Sequence, residues 1–356
     1  MSKGFEATYE STPRPSLKYP FEALPEIGTG AVDIAPGVKW LRMPLSGSLG
    51  AINCWAIAEQ GGWAIVDTGL GGQPTMDAWR AAFAGPLDGK PVTRVFVTHL
   101  HPDHIGMAGW LTRRFHTRLW ISRLEFLMCR SLAADTGREA PEDGVRFYQE
   151  AGWSEEDIET YRARFGGFGR ALHVLPDSFQ RLSDGDELMI GDHLWQVVVG
   201  SGHSPEHVCL HCPDLQLFIT GDQVLPRITS NVSVFPTEPE NDPLSEWLTS
   251  LARIKTKVGD EVLVLPAHNE PFFGLHARLD HLIEGHEDAL ARLIKVLAEP
   301  RRAVDVFNVL FRRTIDGDQI NLATGEAIAH LNCLIRRGRI SRDRDSAGVN
   351  WYRTTA

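Results

Sequence analysis

Short apolar runs that end at polar or glycine-containing turns recur along the first three quarters of the chain. Runs of this kind, rich in Val, Ile, Leu and aromatic residues, predict buried β-strands. We expect strands at residues 38–41, 51–58, 63–66, 92–97, 195–199, 208–212, 215–220 and 262–265. Residues 75–83 have instead the pattern of a helix. This part of the chain is therefore predicted to mix strands and helices in one domain.

Three other segments differ from this pattern. Residues 1–35 carry several prolines among polar residues, which predicts an extended N-terminal arm. Residues 124–168 interleave charged and aromatic side chains and predict a long helical insertion. Residues 226–243 predict a polar loop, and loops of this kind often shape a binding pocket. The weak candidates for substrate contacts in this loop are Arg227, Asn231 and Phe235.

A separate C-terminal unit is expected at residues 278–356, after a main domain at residues 36–277. Helices at residues 279–297, 303–312 and 324–337, followed by a β-hairpin, resemble a winged-helix domain. The first of these helices has one apolar face, formed by Leu279, Leu282, Ile283, His286, Leu290, Leu293, Ile294 and Leu297. Such a face must be buried, so we expect it to pack on the main domain or on a second subunit, and we predict a homodimer.

Four side chains that can bind a metal ion lie within six residues, directly after the predicted strand at residues 92–97. They are His99, His101, Asp103 and His104, in the sequence H-L-H-P-D-H. A loop at the end of a strand can direct several imidazoles and a carboxylate toward one point, as a divalent transition metal requires. The spacing therefore predicts a metal site at this strand end.

Three further residues of the same chemical types follow other predicted strands. His203, Asp222 and His268 each lie just beyond an apolar run. The ends of strands are where α/β sheets usually carry their functional residues. A single histidine beside a strand is more often structural, but seven candidate ligands in this order indicate a real metal centre.

The order H-x-H-x-D-H, a lone His, a Gly-Asp and a last His resembles the metallo-β-lactamase-fold hydrolase superfamily, which includes glyoxalase II-type thioesterases, lactonases and nucleases. The resemblance extends from about residue 38 to about residue 275. It implies a four-layer αβ/βα sandwich, an α+β fold with two divalent metal ions. The implied ligands are His99, His101 and His203 for one ion, Asp103, His104 and His268 for the other, and Asp222 as a bridge between them.

The ligand types indicate the chemistry. Imidazole and carboxylate without thiolate suit zinc, although manganese, iron or cobalt could bind the same set. Two ions about 3.5–4 Å apart can share a hydroxide that attacks a substrate at neutral pH. Asp103 is then expected to accept its proton, and Asp103 and Asp222 are the expected catalytic residues. Diiron oxygen reductases of the superfamily have Glu where this chain has His101, which argues against redox chemistry.

Two further residues are expected to hold the ligands in position without binding the metal themselves. Asp67 matches the early Asp of the superfamily, which supports the metal loop, and His207 lies four residues after a ligand, where it would support that ligand or contact the substrate. The other histidines of interest are expected to be structural. They are His193, His211, His276, His281 and His286.

Composition agrees with a globular enzyme that has a small-molecule substrate. The net charge of −10 disfavours general attraction to nucleic acid or to anionic membranes. No run reaches the roughly 18 apolar residues that span a bilayer, and the N-terminus does not resemble a signal peptide. Five cysteines in predicted core segments suit a reducing compartment, so we expect the cytoplasm.

We expect a dinuclear zinc hydrolase that cleaves a small ester, thioester or lactone. One alternative is a metal-dependent endoribonuclease that holds RNA with the C-terminal unit, whose arginines include Arg336, Arg337, Arg339, Arg342 and Arg344. Asp343 and Asp345 dilute this cluster, which disfavours nucleic-acid binding. A β-lactamase-like amide hydrolase is another alternative. A regulator with a structural metal site is the weakest hypothesis, because structural zinc sites are usually closed and mononuclear.

Overall fold

Two stacked β-sheets form the centre of the computed structural model, which describes residues 15–47, 49–311, 314–315 and 317–355. The strands of the first sheet, in spatial order, are β1 (Ala31–Ala35), β2 (Val38–Pro44), β3 (Ala51–Glu59), β4 (Gly62–Val66), β5 (Val92–Phe96), β6 (Leu119–Ser122) and β7 (Gln180–Leu182). Strands β1 to β4 are antiparallel, and β4 to β7 are parallel. The second sheet has the order β12-β11-β10-β9-β8. Its strands are β8 (Glu187–Ile190), β9 (His193–Gly200), β10 (His207–Cys212), β11 (Leu217–Gly221) and β12 (Leu263–Pro266).

Helices cover the outer faces of both sheets. The main-domain helices are α1 (Gln73–Ala84), α2 (Pro102–Ile105), α3 (Ala108–Phe115), α4 (Arg123–Ala134), α5 (Glu142–Ala151), α6 (Glu155–Arg164) and α7 (Pro243–Lys257). The C-terminal helices are α8 (Leu275–Val296), α9 (Phe307–Leu310) and α10 (Ile320–Arg336), followed by the hairpin β13 (Ile340–Arg344) and β14 (Asn350–Thr354). The four-layer αβ/βα sandwich is confirmed.

The alternation of side chains along β2 and β3 explains the layers. Leu41 and Ile52 point away from the second sheet and pack with the helix residue Trp79. Trp40 of β2 and Trp55 of β3 lie opposite each other across the two strands and point toward the second sheet. Their rings stack at a centroid distance of 6.1 Å and belong to the core between the sheets. β3 is therefore buried on both faces, which is why its run in the sequence is almost continuously apolar, whereas β2 is interrupted by the half-buried Lys39 and Arg42.

The predicted strands and the predicted helix at residues 75–83 are confirmed, with shifts of a few residues at their ends. The prediction of an extended N-terminal arm is wrong for residues 31–35, which form β1, and residues 1–14 of it lie outside the described residues. Val32 and Ile34 of this strand pack against the core between the sheets, and this burial draws the segment into the first sheet. Before it, Lys18 pairs with Phe273 in an isolated bridge.

The C-terminal unit differs in one helix from the expectation. A single helix is expected from the sequence at residues 303–312, of which residue 312 lies outside the described residues. Residues 303–311 do not form one helix, because a 3₁₀ turn at Ala303–Val306 precedes the short helix α9. Val306 has φ −99° and ψ 1°, which interrupts the regular helical backbone. The other two helices and the terminal hairpin are present as predicted, and the likeness to a winged helix stays a prediction.

The apolar face of α8 is covered within the chain. Leu279, Leu282, Leu290 and Leu293 are at most 2 % exposed and share one core with residues of α7 and α10. The face therefore needs no second subunit to be buried. The homodimer stays a prediction that this face no longer supports.

Replacing Leu293 with Ala should lower the free energy of unfolding by about 2–5 kcal/mol, because it removes a fully buried side chain. Chemical denaturation followed by circular dichroism measures this loss, and light scattering should give the same mass for both proteins. Leu127→Ala on the exposed side of α4 is the control, with a change within about 0.5 kcal/mol. Equal effects of the two substitutions, or a change in mass for Leu293→Ala, would contradict the packing described here.

Candidate metal centre

Loops at one edge of the two sheets bring the predicted metal ligands together. Asp67 follows β4 directly, and its backbone N–H donates to the Phe96 carbonyl at the end of the parallel neighbour β5. The Asp67 carboxylate is buried and accepts from the Thr98 backbone N–H at 2.8 Å and from the Thr98 hydroxyl. It also accepts from His104 Nδ1 at 2.8 Å. Asp67 therefore joins the end of one strand to the loop that carries four of the candidate ligands.

The first group of candidate ligands contains three histidines and one carboxylate. Nε2 of His99 lies 2.8 Å from Nδ1 of His101 and 3.2 Å from Nε2 of His203. The Asp222 carboxylate lies 3.6 Å from His203 Nε2. One ligand atom from each of these four residues lies within 4.8 Å of the others, which is close enough for all four to contact one ion.

The second group contains Asp103, His104 and His268, again with ligand atoms within 4.8 Å of one another. His268 Nε2 lies 3.3 Å from the Asp103 carboxylate. Asp222 lies between the two groups, because its carboxylate is 3.5 Å from His104 Nε2 and 3.5 Å from His268 Nε2 as well as near His203. All seven predicted ligands are thus brought together, with Asp222 at the centre.

Hydrogen bonds orient His104 and His203 so that Nε2 of each faces the other candidate ligands. His203 Nδ1 donates to the Asn231 carbonyl at 2.7 Å, which leaves Nε2 as a lone-pair donor. His104 is oriented in the same way by Asp67, and its Nε2 has no hydrogen-bond partner although it is buried. Oδ1 of Asp222 is likewise buried without a hydrogen bond. Buried polar atoms without partners are uncommon, and these two have the chemistry of metal ligands.

Electrostatics keep most of these groups in the form that binds metal. Burial lowers the pKa of His101 to about 3 and holds that of His99 well below its usual value, so both are neutral at pH 7. Burial opposes ionisation of Asp222, but the neighbouring imidazoles outweigh it and hold the pKa of Asp222 well below its usual range. Burial also acts to lower the pKa of His104, but the three surrounding carboxylates raise it well above its usual value. A divalent cation would replace that proton between the carboxylates.

Family models match most of the chain. The model described as the metallo-beta-lactamase superfamily matches residues 47–268, and the model described as the metallo-beta-lactamase-like C-terminal domain matches residues 290–355. The chain belongs to the metallo-β-lactamase superfamily. It is thus a member of a superfamily of metal-dependent hydrolases, and the resemblance found in the sequence is confirmed.

Solved structures and curated proteins of this superfamily are similar over long stretches. A β-lactamase domain protein from Burkholderia ambifaria is 38% identical with a TM-score of 0.87, and the match covers 95% of this chain and 98% of that one. A metallo-β-lactamase family protein from Thermus thermophilus is 25% identical with a TM-score of 0.76, covering 91% of this chain and 100% of that one. The acyl-coenzyme A thioesterase MBLAC2 of Gallus gallus is 25% identical over 246 residues, which are 67% of this chain and 80% of that protein.

His207 lies beside the candidate metal ligands, and its Nε2 faces the backbone of Asp222. Its Nε2 accepts the backbone N–H of Asp222 at 3.0 Å, and its ring packs against that of His99 at 4.6 Å. Gly221 passes so close that an added Cβ would lie 2.6 Å from the His207 ring, and it has a φ of +50°. His207 therefore positions the backbone of Asp222, whereas the sequence leads us to expect support of His203 or a contact with the substrate.

Sequence reasoning does not find three supporting residues, Asn53, Glu125 and Glu326. Asn53 on β3 donates to the carbonyls of Pro266 and Asn269 at 2.8 and 2.7 Å and so holds the loop that carries His268. The available signal was a single Asn within an otherwise apolar strand run. In the sequence, Glu125 on α4 is only one of the charged residues of the predicted insertion at residues 124–168.

The Glu125 carboxylate stabilises two loops that carry candidate ligands. It accepts the backbone N–H of Leu100 at 2.8 Å and that of Glu206 at 2.9 Å. These loops carry His101 and His203, respectively. Glu125 is fully buried, and burial raises its pKa from 4.5 to about 7 despite these hydrogen bonds.

The C-terminal unit reaches the metal centre through Asn231. The side-chain amide of Asn231 donates to the buried carboxylate of Glu326 on α10 at 2.7 Å. The Ser233 hydroxyl donates to the side-chain oxygen of Asn231. The carbonyl of the same Asn231 accepts from His203. Glu326 is therefore a positioning residue for the loop that orients a candidate ligand.

Other candidates lie away from the centre. Arg227 forms an ion pair with Glu270 at 2.8 Å and stacks on Tyr19 at 4.4 Å, so it braces the loop. Of the histidines expected to be structural, His211 packs against Phe218, and His276 donates to the Val258 carbonyl. None of those five histidines belongs to the two ligand groups found among the described residues.

Glu125→Gln should flatten the dependence of stability on pH. The raised pKa of Glu125 means that its protonated form favours folding, so its contribution is complete below pH 4.5 and is lost as the pH rises toward 7. The free energy of unfolding of the wild type should fall by about 3 kcal/mol over this window on this account. Denaturation in the presence of a chelator measures the slope. The exposed Glu139→Gln on the same insertion should keep the wild-type slope, and an equally steep slope in Glu125→Gln would refute the assignment.

Proposed function

We propose that this enzyme is a dinuclear-metal hydrolase, with zinc as the expected metal, that cleaves an ester or thioester of a carboxylic acid. The observation that carries the proposal is the position of Asp222 between two groups of candidate ligands. Within each group the ligand atoms lie within 4.8 Å of one another. The proposed ligands are His99, His101 and His203 with Asp222 for one ion, and Asp103, His104 and His268 with Asp222 for the other. The thioesterase relative from Gallus gallus supports a thioester substrate.

The residues at the site support each part of the hydrolysis. Two bound divalent ions would lower the pKa of a water molecule and polarise the carbonyl oxygen of the substrate. Asp103 is one-fifth exposed and lines the cavity, so its carboxylate lies where it can accept a proton from the attacking water. Asp67 and Asn231 hold the orientation of His104 and His203.

Ion pairs in the C-terminal unit favour this proposal over a ribonuclease. Arg337 pairs with Glu287 at 2.7 Å, Arg342 with Glu240 at 2.9 Å, and Arg344 with Glu150 at 2.7 Å. These arginines are engaged by carboxylates of the same chain and offer a weak surface to phosphates. We propose that this unit supports the active site and does not hold RNA.

Elemental analysis of protein purified without chelator should show close to two transition-metal ions per chain. Asp222→Ala should lose most of both ions, because its carboxylate is the one near both groups. Asp177→Ala, at a fully exposed carboxylate, is the control and should keep both. Retention of a single ion per chain that Asp222→Ala leaves unchanged would overturn the dinuclear proposal.

Asp103→Ala should lower kcat for an aryl ester or thioester by about a hundredfold or more. A chelator should abolish turnover, and added zinc should restore it. Thiol alkylation should have little effect, because all five cysteines are buried. Loss of activity on alkylation but not on chelation, or cleavage of a labelled RNA oligonucleotide in preference to every ester, would contradict the proposal.

A further inference from the structure

A cavity of about 760 Å³ opens directly onto the candidate metal centre. Asp103, His203, Asp222 and His268 lie at one end of it. This volume lies well within the range of cavities that bind drug-sized molecules, and a small ester would fill only part of it. The remaining space therefore requires an explanation in terms of the substrate.

The walls of the cavity away from the metal centre are largely apolar and come from three separate segments. Met128 and Leu132 on α4 and Phe165 after α6 belong to the helical insertion. Phe235 belongs to the loop after β11, and Leu322 lies on α10 of the C-terminal unit. Insertion, loop and C-terminal unit thus converge on one apolar surface.

Two of these side chains are exposed in a way that suggests a ligand. Phe235 and Leu322 are each 39% exposed although both are large and apolar. Exposed apolar side chains that cluster around a concavity are typical of sites that bind apolar groups. Their burial by a substrate would remove this surface from water.

Charged groups at the cavity are few outside the metal centre. Asp135 and Asp143 contribute to its lining, but each forms an ion pair with an arginine of its own helix or turn, Arg138 and Arg146 respectively. Tyr148 and Tyr161 add phenol groups, and Thr229, Ser230 and Thr237 add small polar groups, to walls that are mostly aromatic and aliphatic. The cavity therefore favours an aliphatic chain over a charged or strongly polar group.

We propose that the cavity binds the acyl chain of the substrate, with a length on the order of ten carbons. This rests on the proposed function, because the carbonyl carbon must lie at the metal centre for the chain to extend along the apolar walls. In the reaction, the oxygen of water bonds to this carbon and the carbon–sulfur or carbon–oxygen bond breaks. One proton of the water goes to the leaving sulfur or oxygen, the other passes through Asp103 to the solvent, and the organic products are a fatty carboxylate and a thiol or alcohol. The charged leaving group of an acyl-coenzyme A would remain outside the apolar cavity.

The test compares p-nitrophenyl esters from acetyl to dodecanoyl with the zinc-loaded enzyme. Each added methylene should raise kcat/KM by about threefold to fourfold until the cavity is filled, the effect expected from moving a methylene out of water. A second series, acetate esters of alcohols with increasing length, should show no such rise. Flat dependence on the acyl chain, or a rise only in the alcohol series, would overturn the proposal.

Leu322→Ser should lower kcat/KM for the decanoyl ester relative to the acetyl ester by about fivefold to tenfold. Leu127→Ser is the matched control, because Leu127 is an exposed leucine, 52% accessible, on the outer side of α4. It should leave both rates unchanged. Equal ratios in Leu322→Ser, Leu127→Ser and the wild type would contradict the position of the chain.

Calorimetric binding of decanamide, which offers the chain without an ester, separates this proposal from the proposed function. Binding that Leu322→Ser weakens and Leu127→Ser does not, in the absence of ester turnover, would support the chain site and reject the hydrolase assignment. Turnover of acetyl esters without decanamide binding would reject the chain site and leave the hydrolase. Absence of both would reject the two together.

Discussion

The buried carboxylate of Asp67 is the constraint on which the candidate active site depends. A carboxylate with almost no exposure is costly unless hydrogen bonds stabilise it, and Asp67 receives them from Thr98 and His104. These bonds require that β4 and β5 end side by side, as their parallel pairing ensures. Asp67 also adopts a φ of +60°, an unfavourable conformation for a residue with a Cβ, which the surrounding contacts maintain. Contacts within the chain itself thus position the ligand loop.

Each remaining ligand loop has a similar support, and the supports come from distant parts of the chain. Asn53 holds the His268 loop from the first sheet, and Glu125 holds two loops from the insertion. Glu326 acts through Asn231 on His203 from the C-terminal unit. Rigid support of ligands is what a precise metal geometry requires, because ligand orientation otherwise costs conformational entropy on binding. The insertion and the C-terminal unit are therefore integral to the site.

The same two segments, together with the loop after β11, also line the apolar cavity, so the support of the candidate ligands and the proposed binding of the acyl chain depend on the same parts of the chain. α4 carries Glu125 on its buried side and Met128 and Leu132 toward the cavity. α10 carries Glu326 and, near its start, Leu322. Within the part of the chain that the structure describes, no helix is long and apolar enough to cross a membrane.

The sequence by itself determined most strands of the two sheets, although not β1, β6, β7 and β8, together with the order of the seven candidate ligands and the family. Apolar runs buried on both faces are a local signal, and the H-x-H-x-D-H motif is contiguous, so neither needs the tertiary structure to be recognised. The supports Asn53, Glu125 and Glu326 were different, because each acts on a residue more than 80 positions away and carries no local mark of its partner. Tertiary packing also decided that the apolar face of α8 is covered within the chain and that the C-terminal arginines pair with carboxylates. Periodicity reports that a face must be buried, whereas only the packed structure determines what buries it.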